Sequence, residues 1–100
     1  MIKHIVMWKI KKNVDELSKE KNLKKMKSML EELKEKISVI HALEVGCNFN
    51  PSTMAYDIVL YSEFRNKDDL ETYQKHPDHV RVSDFVGSIR ESRAVVDYEM

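Results

Sequence analysis

Apolar and polar residues alternate over residues 2–10. Ile2, His4, Val6, Trp8 and Ile10 fall on one face, and Ile5 and Met7 on the other, flanked by Lys3 and Lys9. A period of two predicts a strand. The pattern then changes. Between about Asp15 and Ile37 there is no Gly or Pro, and Leu23, Met26, Leu30, Leu33 and Ile37 recur at spacings of three and four. That stripe predicts an amphipathic helix, with lysines and glutamates on its solvated faces. Asn13 is its expected N-cap, with Glu16 at capping-box spacing.

Alternation returns at residues 43–49, where Leu43, Val45, Cys47 and Phe49 share a face. Asn50-Pro51-Ser52-Thr53 signals a turn. Residues 55–64 form the clearest strand. Asn66 caps a helix that runs to about Lys75, with Asp69 at the third position. Pro77 restarts the chain, and the spacing of Val82, Phe85, Val86 and Ile89 marks another helix. Residues 93–99 close as a strand.

The order β-α-β-β-α-α-β predicts an α+β fold of ferredoxin-like type: a four-stranded antiparallel sheet with helices on one face. One domain is expected over residues 1–100. Helices cover only one face of such a sheet. Yet the first and third strands are apolar on both faces: Val6 and Trp8 against Ile5 and Met7, then Ile58 and Leu60 against Val59 and Tyr61. A second copy related by a two-fold axis is the economical cover, so a homodimer is the expected assembly.

Composition narrows the partners. Lys+Arg and Asp+Glu are both 17, for a formal net charge of zero. Nucleic-acid binding needs a basic surplus, and a membrane anchor needs a polybasic segment or a long apolar run; neither is present. Neither nucleic acid nor membrane is an expected partner. The opening residues lack the pattern of a signal peptide, and Cys47 is the single cysteine. A cytoplasmic protein is the expectation. Cys47, in an apolar strand, reads as a small buried hydrophobe.

The candidate chemistry lies with histidines and a tyrosine. His79 follows Pro77, which suits the first turn of a helix. The positive helix end disfavours imidazolium there, leaving a neutral base suited to an acidic C–H beside a carbonyl. The alternative is a capping or packing residue. Tyr73 shares a helix side with Leu70, so its ring reads as core, with a hydroxyl able to orient a substrate carbonyl. His4 alternates with Ile2 and Val6, and is either a satisfied core histidine or a pocket wall. His76 reads as a cap of the turn, and His41 carries no signal. His76 and His79 straddle a proline break without a third ligand, so no metal site is expected. No glycine loop for a phosphate-bearing cofactor exists, and no cofactor is expected.

Four segments, in order, resemble the stress-responsive A/B barrel (Dabb) family. They are Met1 to Lys9, Asp57 to Phe64, the run Tyr73-Gln74-Lys75-His76-Pro77-Asp78-His79-Val80, and Arg93 to Glu99. The resemblance implies a dimeric α+β barrel of two ferredoxin-like units, but no single activity. The family's plant polyketide cyclases, of the olivetolic acid cyclase type, use a tyrosine and a histidine matching Tyr73 and His79. A histidine matching His4 lines their pocket. They also carry a histidine in the third strand where this chain has Asp57.

Two classes of function follow. One is a homodimeric barrel that binds a small apolar or aromatic molecule, or is simply a stable dimer, without catalysis. The other is a cyclase- or lyase-like enzyme using His79 and Tyr73 for proton transfer on a polyketide-like substrate. A cofactor-independent monooxygenase is a weaker third.

Overall fold

In a computed structural model, residues 1–12 and 15–100 are described. Strand β1 (Ile2–Ile10) leads to helix α1 (Glu16–Lys36), then β2 (Ala42–Cys47), β3 (Ile58–Phe64), α2 (Lys67–Lys75), α3 (Pro77–Ile89) and β4 (Arg90–Glu99). The strands form one sheet in the order β2-β3-β1-β4, and every neighbouring pair is antiparallel. This is the expected ferredoxin-like α+β architecture.

The alternation in β1 sets the two faces. Ile2, His4, Val6, Trp8 and Ile10 are all buried. Against them α1 lays Met26, Leu30 and Leu33, with Ile37 buried just past its end. Leu23 is partly buried against the same core. The expected cap at Asn13 lies outside the described residues. The cap that forms is Asp15, whose side chain accepts from the Ser18 backbone N–H at 2.8 Å.

Three sequence boundaries shift. The second strand stops at Cys47 rather than residue 49, because an Asn48–Asn50–Ser52 chain of local side-chain hydrogen bonds takes over the backbone. Phe49 is consequently 98% exposed, and Cys47 is exposed rather than buried. The third strand begins at Ile58 rather than residue 55, where the β2–β3 pairing starts with Cys47 opposite Ile58. Strand β4 begins at Arg90, directly after α3.

The helix break falls where proline requires it. A residue before proline is driven to extended geometry, and His76 has φ −63° and ψ 136°. It ends α2 by donating its N–H to the Tyr73 carbonyl at 3.2 Å. It also starts α3, its Nδ1 accepting from the Asp78 backbone N–H at 3.1 Å. His76 is therefore a cap. Asn66 likewise caps α2, accepting from the Asp69 N–H at 2.8 Å.

Candidate functional site

The break between α2 and α3 leaves a corner above β1 and β4. A cavity of about 270 Å³ fills it, and His4, Tyr73 and His79 all line it. Val6, Trp8, Val82 and Val86 supply apolar wall, and Leu30 of α1 closes one side. The three residues singled out from the sequence thus come together, each from a different element: β1, α2 and the first turn of α3.

Tyr73 is the centre of the group. It is 1% exposed. Its ring lies 4.5 Å from that of His79, edge-on, and 6.1 Å from that of His4. Phe64 backs it at 5.0 Å. Burial pushes the Tyr73 hydroxyl well above the ordinary phenol range, and the nearby Arg93 charge only partly opposes this. The hydroxyl is therefore a neutral donor at physiological pH.

His79 is half-buried. Burial pulls its pKa below the ordinary imidazole value. The Gln74 backbone opposes this, while His4, Arg93 and His76 add to it. The third helical position also meets the positive helix end. The Nδ1 atom is buried without a hydrogen-bond partner, so the Gln74 backbone makes no regular hydrogen bond to it. The outcome is a neutral imidazole with an unspent nitrogen, beside a neutral phenol.

His4 is tied down differently. It is 2% exposed and stands in register between Ser62 on β3 and Asp97 on β4. Its Nδ1 meets the Asp97 carboxylate. A carboxylate only accepts, so Nδ1 carries the proton, and a neutral ring keeps its lone pair on Nε2. Ser62, also buried, donates its hydroxyl to the His4 carbonyl at 3.2 Å. His4 is both a paired core histidine and a cavity wall.

Asp57, at the position where the plant cyclases carry a histidine, is absent from the cavity lining. Its carboxylate accepts from the Ile10 backbone N–H at 2.7 Å and pairs with Lys19 at 3.3 Å. It anchors the end of β1 to the start of α1. His41 also lies outside the cavity. Asp97, Arg90 and Arg93 belong to this region without having been singled out from the sequence. Asp97 had a legible signal, as an acid in a strand that pairs with β1. The two arginines had none, because their facing depends on an irregularity in β4.

The fold and this corner define a ferredoxin-like α+β domain with a small cavity between sheet and split helix. The family model for the stress responsive A/B barrel domain matches residues 2–100, and the chain belongs to that family. The stress-response A/B barrel domain-containing protein DABB1 of Arabidopsis thaliana is 31% identical over 98% of this chain, which spans 46% of that relative's length. A crystal structure from Bacteroides fragilis, described as a dimeric protein of unknown function with a ferredoxin-like fold, is 43% identical. Its TM-score is 0.91, over 99% of this chain and 95% of that one. A hydroxynitrile lyase from Passiflora edulis has a TM-score of 0.83 at 14% identity, over 99% of this chain and 92% of that one. At that identity the likeness shows the fold alone. Among the described residues, no helix is long and apolar enough to cross a membrane.

Proposed function

We propose that this chain works as a homodimer whose protomers each hold a small, largely apolar molecule in the cavity at His4, Tyr73 and His79. The observation that carries the binding reading is that one cavity joins all three polar groups to an apolar wall. Pockets of this composition are the usual form of a small-molecule site. At about 270 Å³ the space is near the low end for ligand pockets. It is larger than the roughly 150 Å³ that takes a benzene ring.

Gly87 provides the test. It lines the cavity, and a Cβ there meets nothing within 4 Å. Gly87→Leu should fill the space while leaving the fold intact. Protein-observed NMR with small aromatic and polyketide-like compounds should show shifts at the cavity in the wild type and none in the variant. A panel that shifts neither protein sinks the binding reading.

The dimer rests on the other face of the sheet. Met7, Val96 and Tyr98 alternate outward there and are 36%, 51% and 40% exposed. Phe49 and Met54 add an apolar rim where β2 and β3 meet. Uncovered apolar area of this kind marks an interface, and the Bacteroides fragilis relative is described as dimeric. Sedimentation equilibrium should give a dimer at micromolar concentration, and Val96→Asp should shift it towards monomer. A wild-type monomer at that concentration removes the dimer.

The second reading is proton transfer. Its support is the pair of neutral rings, with His79 Nδ1 unspent and Tyr73 edge-on at 4.5 Å. His79 would take the proton of a C–H beside a carbonyl, and Tyr73 would hydrogen-bond that carbonyl. The wild type should then speed solvent-deuterium exchange of a β-keto ester above its uncatalysed rate, and His79→Ala should return it to that rate at an unchanged melting temperature. Acceleration that persists in the variant leaves binding alone.

A further inference from the structure

Strand β4 does not keep a regular alternation. Its register against β1 slips between Lys9 and Ile10: Lys9 faces Ser92, but Ile10 faces Arg90, so Glu91 is the extra residue of a bulge. Bulges re-aim side chains. In a regular strand, residues 90 and 93 would point to opposite faces. Here Arg90 pairs with Ile10 and Arg93 with Trp8, both on the helix-facing side of β1, where the β1 residues are buried and the two arginines remain exposed to solvent. The bulge brings two guanidinium groups to one side, and both line the cavity.

No carboxylate takes up those solvent-exposed charges. Among the described residues, neither Arg90 nor Arg93 takes part in an ion pair. The cavity lining contains no carboxylate. The acid that approaches, Asp97, is held by His4 Nδ1 and is not a lining group. Ser83 adds a hydroxyl at the same cavity. The chain as a whole has zero formal net charge, so this positive cavity is a local arrangement. Its effect reaches inward: the Arg93 charge is felt by both Tyr73 and His79.

We propose that the cavity selects a small carboxylic acid, with a ring-sized apolar body against Val6, Trp8 and Val86 and its carboxylate on Arg90 and Arg93. This rests on the binding reading and adds the ligand's charge to it. Guanidinium groups present paired donors that match a carboxylate, and such charge-assisted bonds exceed neutral ones in strength. Neither His79 nor Tyr73 carries a charge that would repel the acid.

Matched probes test this: benzoate against benzyl alcohol, and hexanoate against hexanol, titrated calorimetrically at low salt. Each acid should bind about tenfold tighter than its alcohol. The double variant Arg90→Gln/Arg93→Gln should erase that preference while leaving alcohol affinity within about twofold. Raising the salt to about 1 M, where screening acts over about 3 Å, should weaken only the acids. Equal binding of acid and alcohol, or a preference that survives the double variant, overturns the acid assignment and leaves the cavity as the binding site. Failure of all four probes to bind the wild type overturns the binding reading, and the acid assignment with it.

Discussion

The long helix and the split helix cover the same face of one sheet, with opposite results. α1 runs 21 residues without Gly or Pro, and its stripe meets the sheet with Met26, Leu30 and Leu33 at 0–3% exposure. α2 and α3 bury Leu70, Tyr73, Val82, Val86 and Ile89. Between them, however, the chain must turn at His76-Pro77. An unbroken helix lays apolar side chains over the whole strip beneath it. A broken one leaves a corner, and the first turn after the break offers polar groups to it. The difference teaches where a cavity forms in this fold: at a gap in helix packing that proline chemistry requires, and not on the most regular element.

Leu30 belongs to both regions, as core of α1 and wall of the cavity. Leu30→Ala should cost about 2–5 kcal/mol, since it removes a buried side chain and enlarges the space beside it. A urea midpoint equal to wild type would mean that the α1 side is not the tighter half.

Asp97→Ala should have the next largest effect. It strands the His4 Nδ1–H, buried at 2% residue exposure, and an unsatisfied buried donor costs about 1–3 kcal/mol. His4→Phe in the same background should recover part of that loss, because the orphan disappears. A double-mutant cycle that shows no coupling would mean that the pair does not stabilise the cavity floor.

Gly87→Ala should act in the opposite direction, on the cavity side of α3. The position is helical, lacks positive φ and is free of neighbours that a methyl would strike. Helix propensity then favours Ala by about 0.5–1 kcal/mol. A higher melting temperature with weaker ligand binding would identify Gly87 as room kept for a ligand. A lower one would mean that the helix is closer to its surroundings than the geometry shows.

The two regions also differed in how far they could be read from sequence. The period of Leu23, Met26, Leu30, Leu33 and Ile37 defines the packed side, because burial of a stripe is a local property of a helix. Tyr73 and His79 were legible for a related reason: Pro77 places His79 in a first turn, and Leu70 orients Tyr73. Their meeting with His4 is tertiary, suggested by a polar residue in the apolar layer of β1 and by the resemblance to the plant cyclases. Arg90 and Arg93 were not legible, since a bulge is a property of two paired strands. Cys47 and Phe49 misled for another reason. Their alternation is strand-like, but local Asn and Ser hydrogen bonds end the strand before burial can follow.

The smallest expected effect is the pH response of His79. An unfolded histidine binds its proton near pH 6.5, whereas burial holds folded His79 below its ordinary value. In the interval between the two, the unfolded state carries more protons than the folded one. Linkage then makes stability rise with pH there, and fall as the pH drops from about 6.5 towards the lower folded value. Half-exposure keeps the effect modest. His79→Asn lacks this titration but retains His4, His41 and His76, so the difference between the two proteins isolates His79. Melting temperatures measured from pH 7.5 down to 5 should fall more steeply in the wild type, with the variant gaining relative to it in acid. The distinction bears on the comparison of the two helix regions, because a neutral, weakly paired histidine is what the corner provides. Parallel curves would mean that His79 is solvated like any surface imidazole. A variant that loses relative stability in acid would mean that the corner holds imidazolium, and a base at that position would have to be abandoned.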